Sequence, residues 1–514
     1  MDQKGYTFNI TAQNKKSKGN MSAAHGNKPG RRRDFAGGKE ENMRRTKIIC
    51  TLGPAVDDEK MIRKLIQNGM DCARFNFSHG THEQQKERKE RVQKVSGELG
   101  IPIAFLLDTK GPEIRLKDFE GGSAMLKAGQ TFTLDTDKET PGDSTRIGLT
   151  YDKLAKSVSE GTRILIDDGK IALKVAQVKG TKVVCTVVNG GKISNHKSIN
   201  VPNVVIPMPY LSPVDKEDIL FGIEQKFDYI AASFVRSADD VRKLRKFLKD
   251  NGGGAMRIIS KIENGEGVKN LDEILMESDG IMVARGDLGV EIPFKEIPAI
   301  QKVMINKCNE AGKIVVTATQ MLESMTQNPR PTRAEVSDVA NSIYDGTTAI
   351  MLSGESAAGA YPAESVKTMA EIAQSTEESI DYSRYFVRDH MKMEHTVANA
   401  VCASAYSAAS YLEADAIVVV TRTGRTARML SDFKPTAPVL AVTMEEEGIR
   451  GLKLAWGVKP VAADRMDTPE ALFDYAVKKA QESGLVKKGS TLIVVTSSDL
   501  ENNSVNDVMR ICKI

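Results

Sequence analysis

Eight short apolar runs, centred near Ile48, Cys72, Phe105, Tyr229, Ile258, Ile281, Val315 and Ile350, alternate with stretches of helical spacing. Runs that are apolar throughout belong to strands covered on both faces, which points to a parallel sheet. Eight strand-helix units are what a closed (β/α)8 TIM barrel requires. A doubly wound open sheet is the competitor, but the three-glycine dinucleotide fingerprint is missing. The chain is therefore read as α/β, with residues 43–111 and 209–383 forming the barrel.

Two further units interrupt or follow it. Over residues 112–208 the pattern changes to short alternating pieces (TFTLDT, RILIDD, KIALKVAQV, KVVCTVV) between Gly, Asp and Asn turns, which predicts an inserted all-β module. The DDG at Asp167 to Gly169 reads as a hairpin turn that needs no functional role. Residues 384–514 form another α/β unit, containing the turn TRTGRT between a strand and a helix. Thr421, Thr423, Gly424, Arg425 and Thr426 suit a phosphate there. An ordinary turn with a capping threonine explains the same residues equally well.

The formal net charge of +4 is confined to the start of the chain. Residues 1–42 hold nine basic and four acidic residues, leaving 63 basic and 64 acidic beyond them. That arm, poor in apolar residues, is expected to be disordered. The near-neutral remainder argues against a nucleic-acid partner. No run is long enough to cross a bilayer and no secretory pattern opens the chain, so a cytoplasmic protein is expected. The six cysteines lack metal or redox spacing and read as reduced thiols.

Barrel chemistry sits at the carboxyl ends of strands. In RIISKIE, Lys261 and Glu263 are two residues apart and leave the same side of an extended backbone. DGIMVARGDLG then ends in Asp287. Two carboxylates beside a lysine suit a hard divalent cation holding a phosphorylated or carboxylated substrate. The other strand ends contribute Arg74, Asn76, Ser78, Asp108, Thr109, Arg115 and Thr319. Cations for phosphate and carboxylates for metal, with no cysteine nucleophile or evident histidine base, fit phosphoryl transfer.

The blocks TKIICTLGP, RFNFSHG, LLDTKGPEIR, ILIDDG, SKIENGEG, SDGIMVARGDLGVEI, TATQMLESM and NPRPTRAEVSDVAN resemble the pyruvate kinases of the bacterial kind, over Met43 to Ile514. The resemblance implies a glycolytic phosphotransferase that moves the phosphoryl group of phosphoenolpyruvate to ADP, giving pyruvate and ATP. It implies Mg²⁺ (or Mn²⁺) on Glu263 and Asp287, and K⁺ on Asn76, Ser78, Asp108 and Thr109. Glu113 matches the potassium-requiring members. Lys261 would stabilise the transferring phosphoryl group, and Arg74 and Arg115 would meet phosphates. The backbone around Ala284, Arg285 and Gly286, with Thr319, would receive the substrate carboxylate. Pro54, Asn76, His79, Arg115 and Lys197 would face the nucleotide. Thr319 is assigned to a proton relay whose immediate donor is left open. The β module would be a β-barrel lid, the last domain would hold a sugar-phosphate or AMP effector, and the assembly would be a homotetramer. The terminal segment SSDLENNSVNDVMRICKI lacks the glycine-rich loop that holds fructose 1,6-bisphosphate in some members, which leaves the effector open. The alternatives are a metal-dependent lyase or aldolase on a phosphoenolpyruvate-type barrel, and a silent nucleic-acid-binding protein acting through its basic arm.

Overall fold

The computed structural model describes residues 43–136, 141–382, 395–443, 445–464, 469–498 and 506–514. The basic arm of residues 1–42 and the expected junction at 383/384 lie outside the described residues.

The eight apolar runs form strands β1 (Lys47–Thr51), β2 (Cys72–Asn76), β3 (Ala104–Asp108), β4 (Tyr229–Ala232), β5 (Arg257–Ile262), β6 (Gly280–Ala284), β7 (Ile314–Ala318) and β8 (Ala349–Leu352). They close into one parallel barrel, in which β1 pairs with β2 on one side and with β8 on the other. Side chains alternate between two cores, as the period of a strand requires. Ile49, Leu106, Tyr229, Ile259, Met282, Val316 and Met351 fill the barrel interior. Their neighbours Ile48, Phe105, Ile258, Ile281, Val315 and Ile350 face outward and pack beneath the surrounding helices. The helical stretch after β5 is split in two at Asn270, giving Gly265–Lys269 and Leu271–Glu277.

Between β3 and β4 the chain builds a seven-stranded sheet and a two-stranded ribbon around a separate core that includes Phe132, Leu134, Leu173 and Val183. Its neck is one short antiparallel pairing, Ser198 opposite Arg115 and Ile199 opposite Ile114. The module touches the barrel rim where Asn200 Nδ2 donates to Glu291 Oε1 at 3.0 Å. The DDG hairpin has positive φ at Asp167, Asp168 and Gly169, as its sequence predicts. It is more than a turn, however. Asp167 pairs with Lys197 at 2.7 Å, and a Cβ on Gly169 would stand 3.9 Å from Val290 of the barrel.

The C-terminal unit is a five-stranded sheet whose last strand, Val508–Lys513, runs antiparallel to Thr491–Thr496. Its residues 450–458 close the amino end of the barrel. Leu454 is wholly buried among the inward-facing barrel side chains. Around it Tyr229 Oη donates to the Gly451 carbonyl at 2.9 Å, and Lys47 Nζ to the Val458 carbonyl at 2.8 Å. Arg450 pairs with Asp228 at 2.9 Å, and Lys453 with Asp71 at 3.2 Å. Burial alone would raise the Asp71 carboxyl. Arg44, Lys453 and Lys47 outweigh it and hold Asp71 far below the usual carboxylate range.

Leu454→Ala removes a side chain from a closed core and should cost about 2–5 kcal/mol in urea unfolding. Asp71 has a folded pKa below its unfolded value, so its stabilisation is present above about pH 4 and is lost as pH falls. The melting temperature of Asp71→Asn should therefore decline less on acidification than that of the parent chain.

Candidate active site

The carboxyl end of β5 continues the inward parity of Ile259, so Lys261 and Glu263 both point into the barrel mouth. Lys261 Nζ lies 2.9 Å from Asp108 Oδ1, 2.8 Å from Ser233 Oγ and 3.0 Å from Glu263 Oε1. Asp108 Oδ2 accepts from Arg74 Nε at 2.6 Å, and Arg74 Nη1 donates to Thr51 Oγ1 at 2.8 Å. One chain of contacts thus links the ends of β1, β2, β3, β4 and β5. Its charged members are all buried, Asp108 and Glu263 to within 1% exposure.

Burial governs the electrostatics. It would raise the Asp108 carboxyl, but Arg74 and Lys261 overcome it and hold Asp108 below the ordinary range. Burial would lower Lys261, yet Asp108 and Glu263 together keep the ammonium more firmly protonated than in water. At Glu263 burial prevails over the attraction of Lys261, and the negative charge of Asp287 adds to it, so this carboxyl is raised. Glu263 Oε2 also accepts from the Phe234 backbone N–H at 2.7 Å, presented by a left-handed Phe234 with φ +53°.

Asp287 stands in the first turn of the short helix Arg285–Glu291 that follows β6. Glu263 and Asp287 are two hard oxygen donors on neighbouring strand ends. A Mg²⁺ ion held by one or two carboxylates, with substrate oxygens and waters completing its octahedron, fits such a pair. Among the described residues no group of three or more His, Cys, Asp or Glu side chains forms a larger metal cluster.

Thr319 and Gln320 follow β7 with φ of +65° and +53°, a strained pair for non-glycine residues. Thr319 Oγ1 accepts from Gly286 N–H at 2.9 Å and donates to the Ala318 carbonyl at 2.7 Å. The Arg285 side chain turns away from the mouth. It grips Asp338 with two hydrogen bonds, at 2.8 and 2.6 Å, and donates to the Thr319 carbonyl at 2.6 Å. Ala284 ends β6 directly before it, so this stretch offers the mouth backbone, not a cation.

The remaining expected residues fall into three groups. Asn76 and Asp108 are register partners at the ends of β2 and β3, with Ser78 and Thr109 in the turns beyond, so that set is brought together. Asn76 Oδ1 accepts from Ser78 N–H at 3.1 Å. Arg115 and Lys197 meet at the neck of the inserted module, where Leu116 N–H donates to the Lys197 carbonyl. Arg115 is paired there with Glu113 at 2.7 Å. Burial raises the Glu113 carboxyl, Arg115 counters it, and Asp287 is close enough to push it up further. Pro54 starts a 3-10 turn after β1, and His79 is exposed in the turn after β2. The TRTGRT residues lie in the C-terminal unit, apart from the rim. There Thr421 Oγ1 accepts from Gly424 N–H at 3.2 Å, and Gly424 has φ +75°.

Sequence reasoning missed Ser233, Thr51 and Asp338. Ser233 was legible as the first hydroxyl beyond β4, which with β8 is one of two strand ends from which no site residue was taken. Asp338 sits on the helix after β7 and carries no signal of its partner.

The family model described as pyruvate kinase, barrel domain, matches residues 43–366, and that described as pyruvate kinase, alpha/beta domain, matches residues 399–512. The chain is 46% identical over 469 residues to a pyruvate kinase from Clostridium acetobutylicum, covering 91% of this chain and 99% of the relative. It is 46% identical over 470 residues to one from Geobacillus stearothermophilus, covering 91% and 80% respectively. A crystal structure of a pyruvate kinase from Cryptosporidium parvum matches with a TM-score of 0.86 at 40% identity, over 91% of this chain and 96% of that one.

Ser233→Ala removes one of three partners of a buried ammonium, a hydrogen bond to a charged group worth about 1.5–3 kcal/mol. Turnover should fall about tenfold or more with the fold retained. Unchanged steady-state kinetics would show that Ser233 does not position Lys261.

Proposed function

The chain belongs to the pyruvate kinase family, and on that premise we propose that it transfers the phosphoryl group of phosphoenolpyruvate to ADP at the barrel mouth. The observation that carries the assignment of roles is the buried contact of Lys261 with Asp108, Ser233 and Glu263. Phosphoryl transfer asks the protein for positioning and charge stabilisation. Lys261, fixed by three neighbours in a water-poor mouth, presents a positive charge to the phosphoryl group in flight, and Arg74 supplies a second. Glu263 and Asp287 would hold Mg²⁺ or Mn²⁺, which when bound neutralises and aligns substrate oxyanions.

Asn76, Ser78, Asp108 and Thr109 are assigned to K⁺, in keeping with Glu113 at the module's neck. The backbone from Ala284 to Gly286, with Thr319, takes the substrate carboxylate. A ligand there would compete with Thr319 Oγ1 for the Gly286 N–H. That competition would free the threonine hydroxyl for a proton relay. Arg115, Lys197, His79, Pro54 and Asn76 are assigned to the nucleotide, and the inserted β module closes over it as a lid. The Asn200–Glu291 contact and the approach of Gly169 to Val290 support that role.

A homotetramer and a phosphorylated effector at Thr421, Thr423, Gly424, Arg425 and Thr426 complete the proposal. Apolar Phe294 and Tyr411, 82% and 89% exposed, support further association. Among the described residues no helix is long and apolar enough to cross a membrane. The six cysteines are free, and five are buried, which supports residence in a reducing cytoplasm. The family matches lend no support to the lyase alternative.

With phosphoenolpyruvate, ADP, Mg²⁺ and K⁺ the chain should form ATP. Chelation of Mg²⁺ should abolish the signal, and Na⁺ in place of K⁺ should depress it. Absence of ATP under the full mixture would overturn the assignment. Lys261→Met should lower turnover by about 10³-fold or more, equivalent to about 4 kcal/mol of transition-state stabilisation, with a native circular dichroism spectrum.

A further inference from the structure

A cavity of about 430 Å³ lies at the end of the barrel opposite the mouth. Its walls are the starts of strands, with Arg257 of β5, Asp279 just before β6 and Ile314 of β7. Facing them are the C-terminal helix Arg425–Asp432 and residues of the 451–456 segment. Six lining residues are basic and three are acidic. Two of the acids are already paired, Glu277 with Arg242 outside the cavity at 3.2 Å and Asp279 with the lining Arg245 at 3.0 Å.

Of the four lining arginines, the three other than Arg245 are under-served by comparison. The side chains of Arg257 and Arg425 have no hydrogen-bond or ion-pair partner among the described residues, and Arg428 donates to the Thr423 carbonyl at 3.2 Å. Burial, and then the like charge of Arg257, push Arg428 down to about 10. Two guanidinium groups repelling each other across a cavity gain from an anion between them, and their planar forks suit phosphate. Asn309 supplies an independent pointer. It is only 9% exposed, lines the same cavity, and its Nδ2 is a buried donor with no acceptor. A buried amide without a partner is costly unless a ligand accepts from it.

We infer that this cavity is a regulatory site for a phosphate monoester, gripped by Arg257 of the barrel and Arg428 of the C-terminal domain, with Asn309 donating to a phosphate oxygen. The volume falls in the range of small-molecule sites and exceeds what inorganic phosphate fills. Met429 and Trp456 provide an apolar wall for the organic part. The site shares Arg425 with the TRTGRT turn but is otherwise separate from it, and it contains none of the mouth residues. Its position gives it leverage. Arg257 opens the strand whose far end carries Lys261, and the opposite wall belongs to another domain, so occupancy fixes the two domains relative to each other.

Isothermal titration of the full chain with glucose 6-phosphate and AMP as probes, and inorganic phosphate and citrate as controls, tests the inference without turnover. Its failure would therefore leave the phosphotransfer proposal untouched. At least one ester should bind. Arg257→Gln and Arg428→Gln should each weaken it tenfold or more, while Thr421→Ala in the turn changes it less than twofold. Asn309→Leu, which keeps the branched shape of the side chain and removes the donor, should weaken it about fivefold and carries the same test should an arginine variant fail to fold. The inference is overturned if neither ester binds, if the arginine variants bind like the parent, or if only phosphate or citrate is taken up.

Discussion

A single buried carboxylate organises the mouth of this barrel. Asp108 faces Arg74 and Lys261 at 2.6 and 2.9 Å, with almost no contact with solvent. Neither cation would rest in so dry a place alone, and the carboxylate would not remain ionised without them. Holding all three together sets Lys261 where Glu263 and Ser233 also reach it. In the proposed phosphoryl transfer such charges would need no rearrangement when a substrate arrives, which is the preorganisation that electrostatic catalysis depends on.

Much of this was visible in the chain before any coordinate. The eight strands read as unbroken apolar runs because each is covered on both faces, by the barrel interior and by helices. The shared direction of Lys261 and Glu263 followed from the two-residue period of a strand, and the cluster at Asn76, Ser78, Asp108 and Thr109 from the rule that barrel sites gather at strand ends. What stayed hidden depends on contacts between distant segments. Nothing local marks Asp338 as the partner of Arg285, or Leu454 as a filler of the barrel interior. Left-handed backbone at Phe234, Thr319 and Gln320 was equally invisible, since none is glycine or asparagine, and only tertiary packing holds them there. The DDG hairpin was legible as a turn, but its approach to Val290 was not.

The two ends of the barrel divide the work. At the carboxyl end, polar side chains from successive strands converge on the mouth proposed to take substrate. At the amino end the same strands meet the C-terminal domain through Arg450–Asp228, Lys453–Asp71 and Tyr229–Gly451. Short, stiff strands joining the two ends leave little slack between them.

Leu454 has a consequence for how the chain comes to exist. Residues 47–352 contain every strand of the barrel, and they leave the ribosome well before residue 454 is made. During that interval the ring of Ile49, Tyr229, Ile259 and their neighbours has no floor, and apolar surface destined for burial stands open. The barrel of this protein is a vessel whose bottom is the last part delivered. Chains truncated between the two domains inherit an open, sticky base, because the side chain that closes it belongs to the other domain.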